Sequence, residues 1–197
     1  MKRVSDFMKT LQIDGRRVPI IFRPWHENNG SWFWWGAKQC TPQQFRSLWN
    51  MLQDYLLAEG FDNLVWSWSP NLGVKTSDLD TYPGDDRVDL VGLDAYQWGT
   101  EEDFVSQINK DLTLLTQRFA NKPLALTECG LKNLTDPTWF SRVLQPQIEK
   151  YPLCYFLLWR NYVKEFFGPV PGEKCGDDFK VMTDRPRALM LKDICNQ

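Results

Sequence analysis

Short apolar runs alternate with helix-patterned segments along this chain, and nearly every run ends in a cluster of polar and aromatic residues. The runs occupy 18–22, 63–69, 88–96, 123–127 and 153–159. Their length and their content of Val, Leu and aromatic residues read as strands buried on both faces, the signature of a parallel sheet. Between the first two runs, Thr41-Pro42-Gln43-Gln44 forms a capping box with proline at the first helical position. Phe45, Leu48, Trp49, Leu52, Tyr55 and Leu56 then recur at helical spacing until Gly60 stops the pattern. Thr100 caps a second helix with its stripe at Phe104, Ile108, Leu112, Leu115 and Phe119. Asp136-Pro137 opens a third to about residue 150, residues 184–194 fit a closing helix, and residues 4–13 are helix-like before the first run. Such alternation predicts parallel strands, either in an open doubly wound sheet or in a (β/α) barrel. The first run is not followed by Gly-x-Gly-x-x-Gly, and polar groups at many strand ends favour the barrel.

A complete barrel takes eight units and about 250 residues. These 197 residues supply five units, so the expected fold is an α/β partial TIM barrel forming one domain over 1–197. Five strands without their partners leave two open edges, through which self-association is expected. Composition narrows the chemistry. A net charge of -2 without a Lys/Arg block gives no electrostatic footprint for nucleic acid. The absence of a run of eighteen apolar residues argues against a membrane span, and MKRVSDFMKTLQ lacks the apolar core of an export signal. Cys40, Cys129, Cys154, Cys175 and Cys195 lie far apart without CxxC spacing and are expected to be mainly free thiols. His26 is the single histidine, which removes His-based zinc motifs. Residues 78–89 are acidic but lack the spacing of a calcium loop, so neither metal nor cofactor is expected.

Ten Trp, six Tyr and twelve Phe exceed what a core of this size requires. Aromatic faces hold pyranose rings, whose axial C–H groups present an apolar surface between polar rims. The densest cluster, RPWHENNGSWFWWG at 23–36, follows the first run and contains Glu27. A second glutamate, Glu128, follows the run ending LALT. A strand-terminal glutamate is commonly just a solvated carboxylate, but parallel strands would bring these two to one rim. Glycosidic hydrolysis with retention needs two carboxyls about 5 to 5.5 Å apart, one a proton donor and one a nucleophile. Apolar rings and an anionic neighbour would raise the acid, and hydrogen bonds would keep the nucleophile ionised. Tyr96 is placed to donate one, Trp32 to line the groove, and His26 to contact a sugar hydroxyl rather than act as a base.

RPWHENNGSWFWWG, VWSWSPN, YPGDDRVDLVGLDAYQ, KPLALTECG and FLLWRN resemble, in order, the motifs of glycoside hydrolase family 26, the clan A retaining β-mannanases. The resemblance covers about residue 18 to the end. It implies barrel strands four to eight, with the first three strands lacking a counterpart here. By the same resemblance Glu27 is the acid/base, Glu128 the nucleophile, and Tyr96 holds the nucleophile. Trp159 is the floor under the cleaved sugar, His26 and Trp32 contact substrate near the scissile bond, and Arg160 reaches a more distal sugar. The implied activity is endo-hydrolysis of β-1,4-linkages in mannan, glucomannan or galactomannan, from a secreted, periplasmic or cell-surface parent protein. A related β-glycanase acting on β-xylan or mixed-linked β-glucan, or an inactive carbohydrate-binding fragment, are the alternatives.

Overall fold

The computed structural model describes residues 1–185, 188–190 and 193. It opens with α1 (Lys2–Lys9), shorter than the helix expected over 4–13. Asp14 and Gly15 interrupt it: both have positive φ (50° and 73°), the backbone of a two-residue hairpin turn. They join β1 (Gln12–Ile13) to β2 (Arg16–Arg17) as an antiparallel ribbon.

Five parallel strands follow. They are β3 (Ile20–Phe22), β4 (Leu64–Trp68), β5 (Leu90–Gln97), β6 (Leu124–Leu131) and β7 (Leu153–Leu158). Each pairs in parallel with its neighbour in sequence, giving the order β3-β4-β5-β6-β7. An order that never reverses is an arc of a barrel; a doubly wound sheet reverses at a switch point. Among the described residues neither β3 nor β7 has a second strand partner, so the half-barrel has two open edges. Ile21 and Leu157 on these edges are 49% and 45% exposed.

Helices cover the outer face where the sequence calls for them. In α2 (Pro42–Ala58) Thr41 and Gln44 form both bonds of the capping box, and Phe45, Trp49, Leu52 and Leu56 are buried. In α3 (Glu101–Arg118) Thr100 accepts the amide of Asp103, and Phe104, Ile108, Leu112 and Leu115 turn inward. Trp49 packs on Trp66 of β4 at 5.9 Å between ring centres. Two expectations need correction. β6 extends past residue 127 to Leu131, because its pairing with β5 resumes after a register shift at Leu93/Asp94; Glu128 therefore lies within the strand, opposite Asp94. The helix expected from Asp136 is not a regular α-helix: a π-turn at Phe140–Leu144 precedes α4 (Gln145–Lys150). Pro146 has no N–H for the usual bond, and the widened turn absorbs the loss. A further helix, α5 (Gly176–Thr183), follows β7, whereas the closing helix expected over 184–194 lies largely outside the described residues.

Gly92 in β5 is a required close approach. A Cβ there would lie 2.4 Å from the Thr127 hydroxyl oxygen and 2.7 Å from the Cβ of Ser69. Gly92→Ala is expected to cost about 1 to 3 kcal/mol by overpacking, read as a lower urea midpoint at unchanged m; an unaltered midpoint would show that the neighbouring strands can yield.

Candidate active site

The carboxyl ends of the five strands converge on a cleft of about 650 Å³. The loop after β3 supplies His26, Glu27, Trp32 and Phe33, and the loop after β4 supplies Asn71. Tyr96 and Trp98 come from the end of β5, Glu128 from β6, and Trp159 from the end of β7. An apolar hollow of about 520 Å³ lies elsewhere, along β7 against α4 and α5, lined by residues such as Leu157 and Phe179. Its lining contains neither Glu27 nor Glu128, and it lies along the β7 edge.

The loop carrying Glu27 is tightly determined. Glu27 has φ 52° and Trp25 φ 54°, a left-handed backbone that non-glycine residues rarely adopt. The Glu27 amide donates to the carbonyl of Ser69 at 2.8 Å, and Asn29 and Asn71 exchange side-chain to backbone bonds of 2.7 and 2.8 Å. The Trp35 indole donates to the His26 carbonyl at 2.8 Å while stacking on Phe33 at 4.3 Å. Trp25 packs edge-on against both Trp34 and Trp35. Of the aromatic run, Trp35 is thus structural, whereas Trp32 is 57% exposed in the cleft. Its indole N–H donates to Glu27 Oε2 at 2.8 Å.

Glu27 and Glu128 sit in contrasting surroundings. Burial raises the Glu27 carboxyl above its usual range; the Trp32 bond and Arg23 oppose this, and the charge of Glu128 reinforces it. Glu128 accepts the Tyr96 hydroxyl at 2.6 Å and an N–H of Arg23, so both of its oxygens are held. Burial, and then its bond to Glu128, push the Tyr96 phenol far up, so it stays a donor. Burial and the charge of Arg23 lower His26, leaving a neutral imidazole at neutral pH. Cys129 is fully buried beside Glu128; burial pushes its thiol up, which makes it inert as a nucleophile.

Arg23 is a further candidate site residue, one that the motifs do not single out. Its guanidinium bridges Glu128 and Asp94, with the Asp94 bond at 2.7 Å, and donates to Ser69 Oγ at 3.1 Å. Asp94 is wholly buried and also accepts the Thr127 hydroxyl at 2.6 Å. Burial raises Asp94, and Arg23 opposes it; for Arg23 itself, burial lowers the pKa but the two carboxylates more than offset that. The sequence signal was available: Arg23 and Asp94 are polar residues in or directly after apolar strands. Arg160 departs from the other expected site residues. It is exposed and lies outside the cleft lining, with its guanidinium over Trp159 at 5.7 Å and Tyr162 at 5.2 Å. Among the described residues no group of three or more His, Cys, Asp or Glu could hold a metal ion.

A parallel half-barrel whose strand ends bring two glutamates into one aromatic cleft is the arrangement of the (β/α)-barrel glycoside hydrolases. The model of glycosyl hydrolase family 26 matches residues 1–170, and the chain belongs to that family. It superposes on a GH26 β-mannanase from Bacteroides ovatus with a TM-score of 0.93 and 41% identity, covering 98% of this chain and 58% of that one. It is 34% identical to a mannan endo-1,4-β-mannosidase of Bacillus subtilis over 82% of this chain and 44% of the relative. A mannan endo-1,4-β-mannosidase of Bifidobacterium adolescentis is 33% identical over 90% of this chain and 20% of the relative. The chain therefore spans less than two thirds of the length of these relatives.

Two outcomes follow from the electrostatics. Arg23→Met leaves two buried carboxyls without their shared cation and is expected to cost about 3 to 5 kcal/mol. Adding Asp94→Asn should recover part of that loss in a denaturant double-mutant cycle, and strictly additive losses would contradict the coupling. Trp32→Phe removes a bond that favours ionised Glu27, so the Glu27 pKa should rise further; side-chain carbon NMR across the acid range would show it, and a fall would reverse the assignment.

Proposed function

We propose that this site performs retaining endo-hydrolysis of β-1,4-mannosidic linkages in mannan, glucomannan or galactomannan. The observation that carries the reading is the contrast between Glu27 and Glu128 in one cleft: the first raised by burial, the second held by Arg23 and Tyr96. Glu128 attacks the anomeric carbon as the bond to the leaving oxygen breaks, and the Glu27 proton passes to that oxygen. The product of this step is a mannosyl ester of Glu128. Glu27, now ionised, takes a proton from water; the water oxygen bonds to the anomeric carbon and Glu128 departs as carboxylate. A raised pKa suits a residue that must be protonated at the start of each cycle.

Around this pair, Trp159 serves as the floor under the sugar being cleaved, and His26 and Trp32 contact it near the scissile bond. Arg160, braced on Trp159, reaches a more distal sugar. Tyr96 holds the nucleophile. Mannan as substrate rests on the likeness to mannan endo-1,4-β-mannosidases. A polymer of this size supports a secreted, periplasmic or cell-surface location for the parent protein. The open edges at β3 and β7 support self-association of this chain.

The test is reducing-end release from soluble β-1,4-mannan, with the two variants alongside. Glu128→Ala should abolish turnover of every substrate. Glu27→Ala should spare the first step for aryl mannosides with good leaving groups while losing about 10²-fold or more on mannan. Equal losses on both substrates would overturn the division of roles, and no release by the unaltered chain would count against activity of this five-strand arc.

A further inference from the structure

Trp98 directly follows β5 and is 66% exposed, the most exposed of the cleft's rings. It is nevertheless held in place. The Tyr96 ring lies 5.7 Å away, Phe167 meets it edge-on at 6.3 Å, and the Lys132 ammonium sits 5.9 Å from its centroid. Lys132 is itself tethered to Glu165 at 3.8 Å. An indole kept exposed yet oriented is a platform more than a packing element.

Tyr96 and Trp98 also form a wall of a second hollow, of about 390 Å³, on the side toward α3. Leu72 and Phe104 give it an apolar lining, while Asp103 and Gln107 from the first turns of α3 give it polar groups. Those groups are oriented: Asp103 Oδ2 accepts the Thr100 hydroxyl at 2.6 Å, and the Gln107 amide nitrogen donates to Asp111 at 2.8 Å. Apolar surface beside fixed hydrogen-bond acceptors matches a pyranose, with its C–H face and hydroxyl edge.

Topology aligns this hollow with the cleft. Glu27 follows β3 and Glu128 lies on β6, so β4 and β5 stand between them in the sheet. The two carboxyls of a glycosidase flank the scissile bond, so a polymer cleaved here passes between Glu27 and Glu128 and one arm runs over the loops of the intervening strands. Those loops carry Asn71, Leu72 and Trp98. We propose that Trp98 and the hollow behind it form a distal subsite for one sugar ring of the polymer, on the arm leaving the cleft over β4 and β5. The proposal rests on the mannan reading.

The experiment is calorimetric titration with mannobiose and mannohexaose in a Glu27→Gln background, which mimics the protonated acid and blocks cleavage. Adding Trp98→Ala should weaken mannohexaose binding about tenfold, the scale of one lost aromatic contact, and weaken mannobiose by a clearly smaller factor. Trp98→Phe should restore most of the loss. Unchanged mannohexaose affinity, or equal losses at both lengths, overturns the subsite while the mannan reading stands. A background protein with no affinity for either oligosaccharide overturns both.

Discussion

The guanidinium of Arg23 is the interaction on which the site depends. It stands at the end of β3 and reaches across the arc to Asp94 on β5 and Glu128 on β6. Two carboxyls this deeply buried would each suffer a large desolvation cost if ionised alone. One shared cation, with the Tyr96 and Thr127 hydroxyls, completes their hydrogen bonding. The same arrangement has a chemical consequence. In the proposed double displacement an esterified Glu128 would lose its charge, and Asp94 would keep the guanidinium paired. The ion pair is therefore both a structural tie between three strands and the electrostatic setting of the proposed nucleophile.

Glu27 is governed by a different constraint. Its left-handed backbone is imposed by the Ser69 carbonyl, the Asn29–Asn71 exchange and the wedge of Trp25, Trp34 and Trp35. Strain of this kind, of order 1 to 3 kcal/mol, persists only where surrounding contacts over-determine it. The aromatic run thus divides its labour: Trp35 fixes the loop, and Trp32 holds the carboxyl it presents.

Much of this was legible in the sequence because it is local. The Thr41 capping box, the stripes of α2 and α3, and the five apolar runs each follow from the identities of residues a few positions apart. Glu27 and Glu128 stood out because each follows or occupies such a run. What escaped depends on register between strands. That Asp94 faces Glu128 follows from a shift at Leu93/Asp94, and the Arg23 bridge spans three strands; neither has a periodic signature in one chain. The Asp14-Gly15 turn and the Pro146 interruption were readable signals whose local chemistry overrode a helical pattern. Arg160 was carried by resemblance alone, and its position outside the cleft lining reflects its contacts with Trp159 and Tyr162.

The belonging of the chain to family 26 and its span of little more than half of the Bacteroides ovatus chain put the weight on one question: whether this arc holds Glu128 as a working nucleophile. The most direct measurement is the intact mass of the protein after incubation with an activated 2-fluoro-mannoside, followed by peptide mapping. One added fluoromannosyl group is expected, on the peptide containing Glu128 and absent from Glu128→Gln. An unmodified protein, or a label on another residue, would contradict it.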